Sequence, residues 1–100
     1  MNNEEMELNM YKRYFEGKIE GYKKQDRDKN REIDEDDYID VEWCLSRMNG
    51  TCQKCNTWFD FKIKNGRLNS DFTAQRLDNE LCHSKSNTTH FCWYCNCSSR

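Results

Sequence analysis

The sequence predicts a small α+β fold: N-terminal helices, then a β-hairpin followed by a helix, closed by a cluster of cysteines. Three observations predict it. Residues 5–28 space Met6, Met10, Tyr14, Ile19 and Tyr22 at an approximately helical period. Two short strand-like runs, the first rich in aromatic residues, flank Asn65-Gly66, a dipeptide of tight turns. Two Cys-x2-Cys pairs, Cys52/Cys55 and Cys92/Cys95, bracket those runs.

The bulk composition says why a cluster is needed. Of 100 residues, 35% are hydrophobic and 34% charged, so core material is scarce. Domains of this size are often completed by a metal or by disulfides. Seven cysteines is an odd number for a disulfide framework, and the start, MNNEEMELNM, has neither the basic nor the apolar stretch of a secretion signal. An intracellular, reducing compartment is the expectation, where paired cysteines at short spacing read as metal ligands. No apolar run approaches the ~18 residues of a membrane span. Charge is uneven: residues 1–50 carry nine Lys/Arg against fourteen Asp/Glu, residues 51–100 seven against four. A net charge of −2 leaves any nucleic-acid binding to local patches.

Taken in order, the first helix is weakened by Gly17 and Gly21, each worth about 1 kcal/mol against Ala. Its end, YKKQDRDKNR (Tyr22–Arg31), reads as a solvated helix face or as a phosphate-contacting arm. A second helix has clear punctuation. Asp40 suits its N-cap, Ile39 and Cys44 the flanking apolar staple, and Asn49-Gly50 its end. Ile39, Trp43, Leu45 and Met48 would pack inward, with Cys44 as a small buried apolar residue. Trp58–Ile63 reads as one strand, Asp71–Leu77 as a second with Phe72, Ala74 and Arg76 on one face, and Asp78–His90 as a polar loop. A helix can start near Phe91 and run to about Ser98. The chain thus divides into a helical extension, 1–49, and a metal-bound domain, 50–100.

The cysteine spacing is the strongest signal. A two-residue gap lets both sulfurs of a pair reach one tetrahedral Zn²⁺ at about 2.3 Å, and four thiolates make a closed structural site. Cys52, Cys55, Cys92 and Cys95 are the expected zinc ligands, with Cys82 and Cys97 as bystanders and His90 as a loop histidine or a competing ligand.

Inside this cysteine frame stand Gln75-Arg76-Leu77-Asp78-Asn79, Cys82-His83, Asn87 and Cys95-Asn96. Together they resemble the zinc-containing, ββα-metal branch of the HNH endonucleases, which includes the recombination endonuclease VII group. The resemblance covers about Cys52 to Arg100. It implies an HNH-like ββα domain in which Asp78, at a strand end, and Asn96, on the helix, hold a catalytic Mg²⁺ or Mn²⁺. It also implies that Asn87 braces the loop and that Arg76 sits by the phosphate. The sequence departs from that pattern at Asn79, where the family's acid-His pair would put its general base. His83 is then the expected base, His90 the second choice, since an imidazole accepts a proton near neutral pH and a carboxamide does not. Cys82 also stands where a glycine is common.

The resemblance therefore implies a metal-dependent endonuclease hydrolysing DNA phosphodiester bonds. The alternative is a non-catalytic zinc module of HNH-like fold that binds nucleic acid or protein, with Arg76, Lys85, Arg100, Trp93 and Tyr94 as contacts. A RING-like or ribbon interaction domain is a third class, lacking a convincing second ligand set. A protein partner for residues 1–49 stays open.

Overall fold

A computed structural model of the chain describes residues 3–98. Helix α1, Asn3–Asp28, is 26 residues and about 39 Å long at 1.5 Å per residue. Its inward face is not the whole stripe that the sequence predicts. Met6 is 55% exposed, whereas Phe15 and Ile19 are buried. The inward stripe is Tyr11, Phe15, Ile19, Tyr22 and Asp26, while Met6, Asn9 and Met10 line an open groove beside Gly66, Arg67 and Leu68. Phe15, absent from the predicted stripe, is the helix's main anchor. Its ring sits edge-on to Phe72 at 5.6 Å and to Phe61 at 6.1 Å. The helix ends in a Schellman motif: Asn30 turns left-handed (φ 58), its N–H reaches Arg27 O, and Arg31 N–H reaches Asp26 O.

Helix α2, Val41–Arg47, starts as the sequence predicts, with the Asp40 carboxylate accepting the Trp43 N–H at 2.8 Å. Trp43 and Cys44 are buried against α1 and Phe72. One core cluster takes Phe15, Ile39 and Trp43 from residues 1–49, with Phe72, Ala74 and Cys82 from residues 50–100. The two halves of the chain share it.

Strand pairing differs from expectation. Strand β1, Phe61–Lys64, pairs antiparallel with β2, Arg67–Ser70, through the two-residue Asn65-Gly66 turn, both residues at positive φ (53 and 74). That mirror-image turn fixes its register on the residues immediately beside it. The segment expected as the hairpin's second strand must therefore find another partner. It forms β3, Phe72–Arg76, and pairs antiparallel with β4, Thr88–Cys92, giving two two-stranded sheets in place of one hairpin. Strand β4 occupies residues expected as the end of a polar loop and the start of a helix. Its β-branched Thr88 and Thr89 and aromatic Phe91 suit a strand. Helix α3, Trp93–Ser98, follows directly. Among the described residues no helix is long and apolar enough to cross a membrane.

Replacing Phe15 by Ala should lower stability by about 3–5 kcal/mol, as for a large aromatic removed from a core. Met6→Ala, at a largely exposed position, should change it by less than about 0.5 kcal/mol. Urea unfolding of both variants measures the contrast.

Candidate functional site

Two arrangements carry chemistry, and they meet at α3. The first is the cysteine cluster. The first pair sits on a tight knuckle: Cys52 N–H bonds Thr57 O, Asn56 N–H bonds Cys52 O, and Asn56 takes positive φ to close the turn. Gln53 N–H ties the knuckle to His90 O on β4. Cys92 ends β4, and Cys95 lies nearly one helical turn on, in α3. The four sulfurs all lie within 4.8 Å of one another, and Cys55 Sγ is 3.9 Å from Cys92 Sγ. A tetrahedron of sulfurs at 2.3 Å from a metal has edges of about 3.8 Å. Burial and then the neighbouring sulfurs push the Cys95 thiol up to about 12, while hydrogen bonding with Thr57 brings Cys55 down to about 6. Four thiolates this close need a cation among them, and the cluster is positioned to hold a metal such as zinc.

The second arrangement is a cleft of about 360 Å³ between α1, β3 and α3, with His83 in its lining. His83 itself is 3% exposed. Asp26, wholly buried on α1, holds it. Asp26 Oδ2 accepts from Tyr38 Oη at 2.6 Å and from the His83 backbone N–H at 3.1 Å, and lies 2.9 Å from His83 Nδ1; Asp26 Oδ1 accepts from Arg31 at 3.0 Å. Burial pushes this carboxyl up, but the hydrogen bonds from Tyr38 and His83 outweigh it and bring it down to about 2. An ionised carboxylate has no proton to give, so the Nδ1–H of His83 donates and Nε2 carries the lone pair. Burial lowers the imidazole's pKa against the pull of Asp26, which favours the neutral ring. Tyr22 stacks on it at 4.5 Å, and the Tyr22 hydroxyl accepts the Ala74 N–H at 3.1 Å.

The residues predicted from the sequence are distributed unevenly. His83, Arg76 and Asn96 line the cleft together. Arg76 also donates to Asn79 O at 2.7 Å, and Asn96 Nδ2 donates to Thr73 Oγ1 at 3.0 Å. Asn87 clasps its loop. Its carboxamide accepts the Asp78 N–H and donates to Asp78 O and Cys82 O. Asp78 is exposed and outside the cleft lining; its Oδ1 accepts the Glu80 N–H in an Asx turn, and Asn79 faces the cleft in its place. Apart from the four cysteines, the described residues hold no group of three His, Cys, Asp or Glu that could hold a metal ion. Of the pair expected to hold Mg²⁺ or Mn²⁺, Asn96 stands in the cleft lining and Asp78 does not. Lys85 lies outside the cleft as well, paired with Asp40 at 3.0 Å, and Arg100 falls outside the described residues. His90 packs flat on Phe72 with its Nε2 3.0 Å from Gln53 Nε2, away from both the cleft and the sulfurs.

Sequence reasoning missed Asp26 and Tyr38, and Arg31, expected on a solvated face or phosphate-contacting arm, instead pairs with the buried Asp26. One signal was present: Asp26 continues the inward stripe of α1, an acid on a face that is otherwise aromatic and aliphatic. Compared with protein-family models, with curated proteins and with solved structures, the chain finds no match in any of the three.

Two outcomes follow from this geometry. One metal equivalent per chain should be measured by elemental analysis, and Cys92→Ser should lose it together with the folded dispersion of the amide NMR spectrum. The folded-state pKa of Asp26 lies below its ordinary 3.8, so its stabilisation is present above pH 3.8 and is lost as pH falls toward about 2. Asp26→Asn should be less stable at pH 7 and show a shallower loss of stability across that acid window, read by urea unfolding at stepped pH.

Proposed function

We propose that this chain is a nuclease domain that hydrolyses DNA phosphodiester bonds in the cleft, with the cysteine cluster as a structural zinc site. The observation that carries the reading is the Asp26–His83 pair beneath a cleft whose described lining has one cation, Arg76, and no Asp or Glu. Such a surface suits an anion.

In this reading the Arg76 guanidinium pairs with the scissile phosphate and stabilises the charge that builds on its oxygens. Water attacks phosphorus, and His83 Nε2 accepts the proton that water loses. The imidazolium formed is stabilised by the Asp26 carboxylate at Nδ1. The departing sugar oxygen takes its proton from solvent. Asp26 and Tyr38 do not meet the substrate; they set the ring's tautomer and direction. The zinc, when bound, holds the first knuckle against α3 and so fixes the cleft wall that carries Asn96. The resemblance to HNH endonucleases supports the activity class through Arg76, His83, Asn87 and Asn96.

A second reading is favoured by one observation. His83 is only 3% exposed and lies under Tyr22, which is how a histidine that serves packing is placed. In that case the domain binds nucleic acid without cutting it.

Zinc-loaded protein incubated with supercoiled plasmid, with Mg²⁺, with Mn²⁺ and with neither, separates the two. The nuclease reading expects nicking that falls about 10²–10⁴-fold in His83→Ala, the range for loss of a general base. Nicking unaffected by His83→Ala removes the residue from the chemistry. Plasmid that is retarded on a gel yet stays intact under every condition favours the binding module.

A further inference from the structure

Resting on the nucleic-acid reading above, we propose that the cleft receives an unpaired nucleobase stacked on Trp93, so that the substrate is single-stranded or locally unpaired DNA.

Trp93 is 62% exposed, while Trp43, in the core, is 4% exposed. A chain this short of apolar material leaves a large ring in water beside the cleft, next to Tyr94 at 74%. Its backbone is anything but loose. Trp93 opens α3 directly after Cys92, and its N–H donates to Asp71 O at 2.6 Å. The indole is thus carried at the junction of β4, α3 and the cysteine cluster. It lines the cleft that holds His83 and Arg76, and also a shallower depression lined by Asp60, Lys62 and Asp71. It forms the ridge between them.

The remaining lining points to the same ligand. Gln25, Gln75, Asn79 and Asn96 contribute carboxamides, groups that donate and accept as base edges do. Gln75 and Asn96 each have their Nδ or Nε amino group on a backbone or hydroxyl oxygen of β3, which sets their orientation. The cleft volume, about 360 Å³, lies within the ~300–1,000 Å³ range of small-molecule sites. Duplex binding works differently: it is commonly carried by many phosphate contacts, often 6–10. The cleft supplies one cation, and the whole chain is at −2. A base inside a duplex presents no free face to an indole, so the base must be out of the stack. Stacking does not depend on which base is present, so this site would select unpaired structure over sequence.

The test uses the full zinc-loaded chain carrying Trp58→Phe, which leaves Trp93 as the exposed indole. The probe is a short fluorescein-labelled DNA strand, alone and annealed to its complement. The single strand should bind more tightly than the duplex and quench the tryptophan emission. Trp93→Ala, with metal content and circular dichroism unchanged, should weaken single-strand binding about 5- to 150-fold, the worth of one base stacked on one ring. Duplex binding should stay as it was. Trp93→Phe should keep most of the affinity; Trp93→Leu, with bulk but no aromatic face, should not. If Trp93→Ala disturbs the fold, the Phe and Leu pair carries the comparison. Equal binding of strand and duplex, or indifference to Trp93→Leu, overturns the inference and leaves the nuclease reading standing. Binding to neither form overturns both.

Discussion

A carboxylate with no contact to water is the constraint on which this fold turns. Asp26 sits on α1 with its side chain fully buried, a location that costs several kcal/mol for an unpaired charge. It is stable there because donors converge on it from three other parts of the chain: Arg31 just past the helix end, Tyr38 before α2, and His83 in the loop between β3 and β4. Remove any donor and the remaining charge is left under-satisfied. The network therefore selects one arrangement of the end of α1, the segment before α2 and the distant loop at His83. It does for the inner end of α1 what Phe15 does for its middle.

The cysteine cluster does the corresponding task at the other end. It joins the knuckle before β1 to the last residue of β4 and the middle of α3, elements whose shared apolar contact is small, Phe59 and Phe91 being the partly buried side chains packed on it. A chain with 35% hydrophobic residues has one main apolar core, built where α1, α2 and β3 meet. What that core does not reach is tied by polar and metal chemistry. The cleft lies between the two ties, with the Asp26 network below it and α3 as a wall, so its lining is held from both sides.

How much of this was legible depended on range. Signals that act within a few residues were read well: Asp40 caps α2, Asn65-Gly66 makes a two-residue turn, and the two Cys-x2-Cys pairs converge. Pairing across the chain was not. Asn65-Gly66 is legible as a turn, but the pairing of β3 with a strand twelve residues on carries no short-range signal. Strand β4 was hidden because Thr88-Thr89-His90 reads as polar. Asp78, which the resemblance puts at a metal, sits in an Asx turn of its own, and Asn87 holds that turn. Asp26 was invisible because its partners lie up to 57 residues away. A lone acid on an inward helical stripe is a cue that short-range reasoning tends to assign to solvent.

Asp26 fixes the proton of His83 on Nδ1 and leaves the lone pair on Nε2, while burial keeps the ring neutral. Long-range ¹H–¹⁵N NMR of the histidine side chains reads this directly, since protonated and bare ring nitrogens differ widely in ¹⁵N shift. At pH 7 His83 is expected to be neutral in the Nδ1–H form and to titrate below the ordinary imidazole value, with that tautomer lost in Asp26→Asn. An Nε2–H ring, or an imidazolium that persists at pH 7, would contradict it.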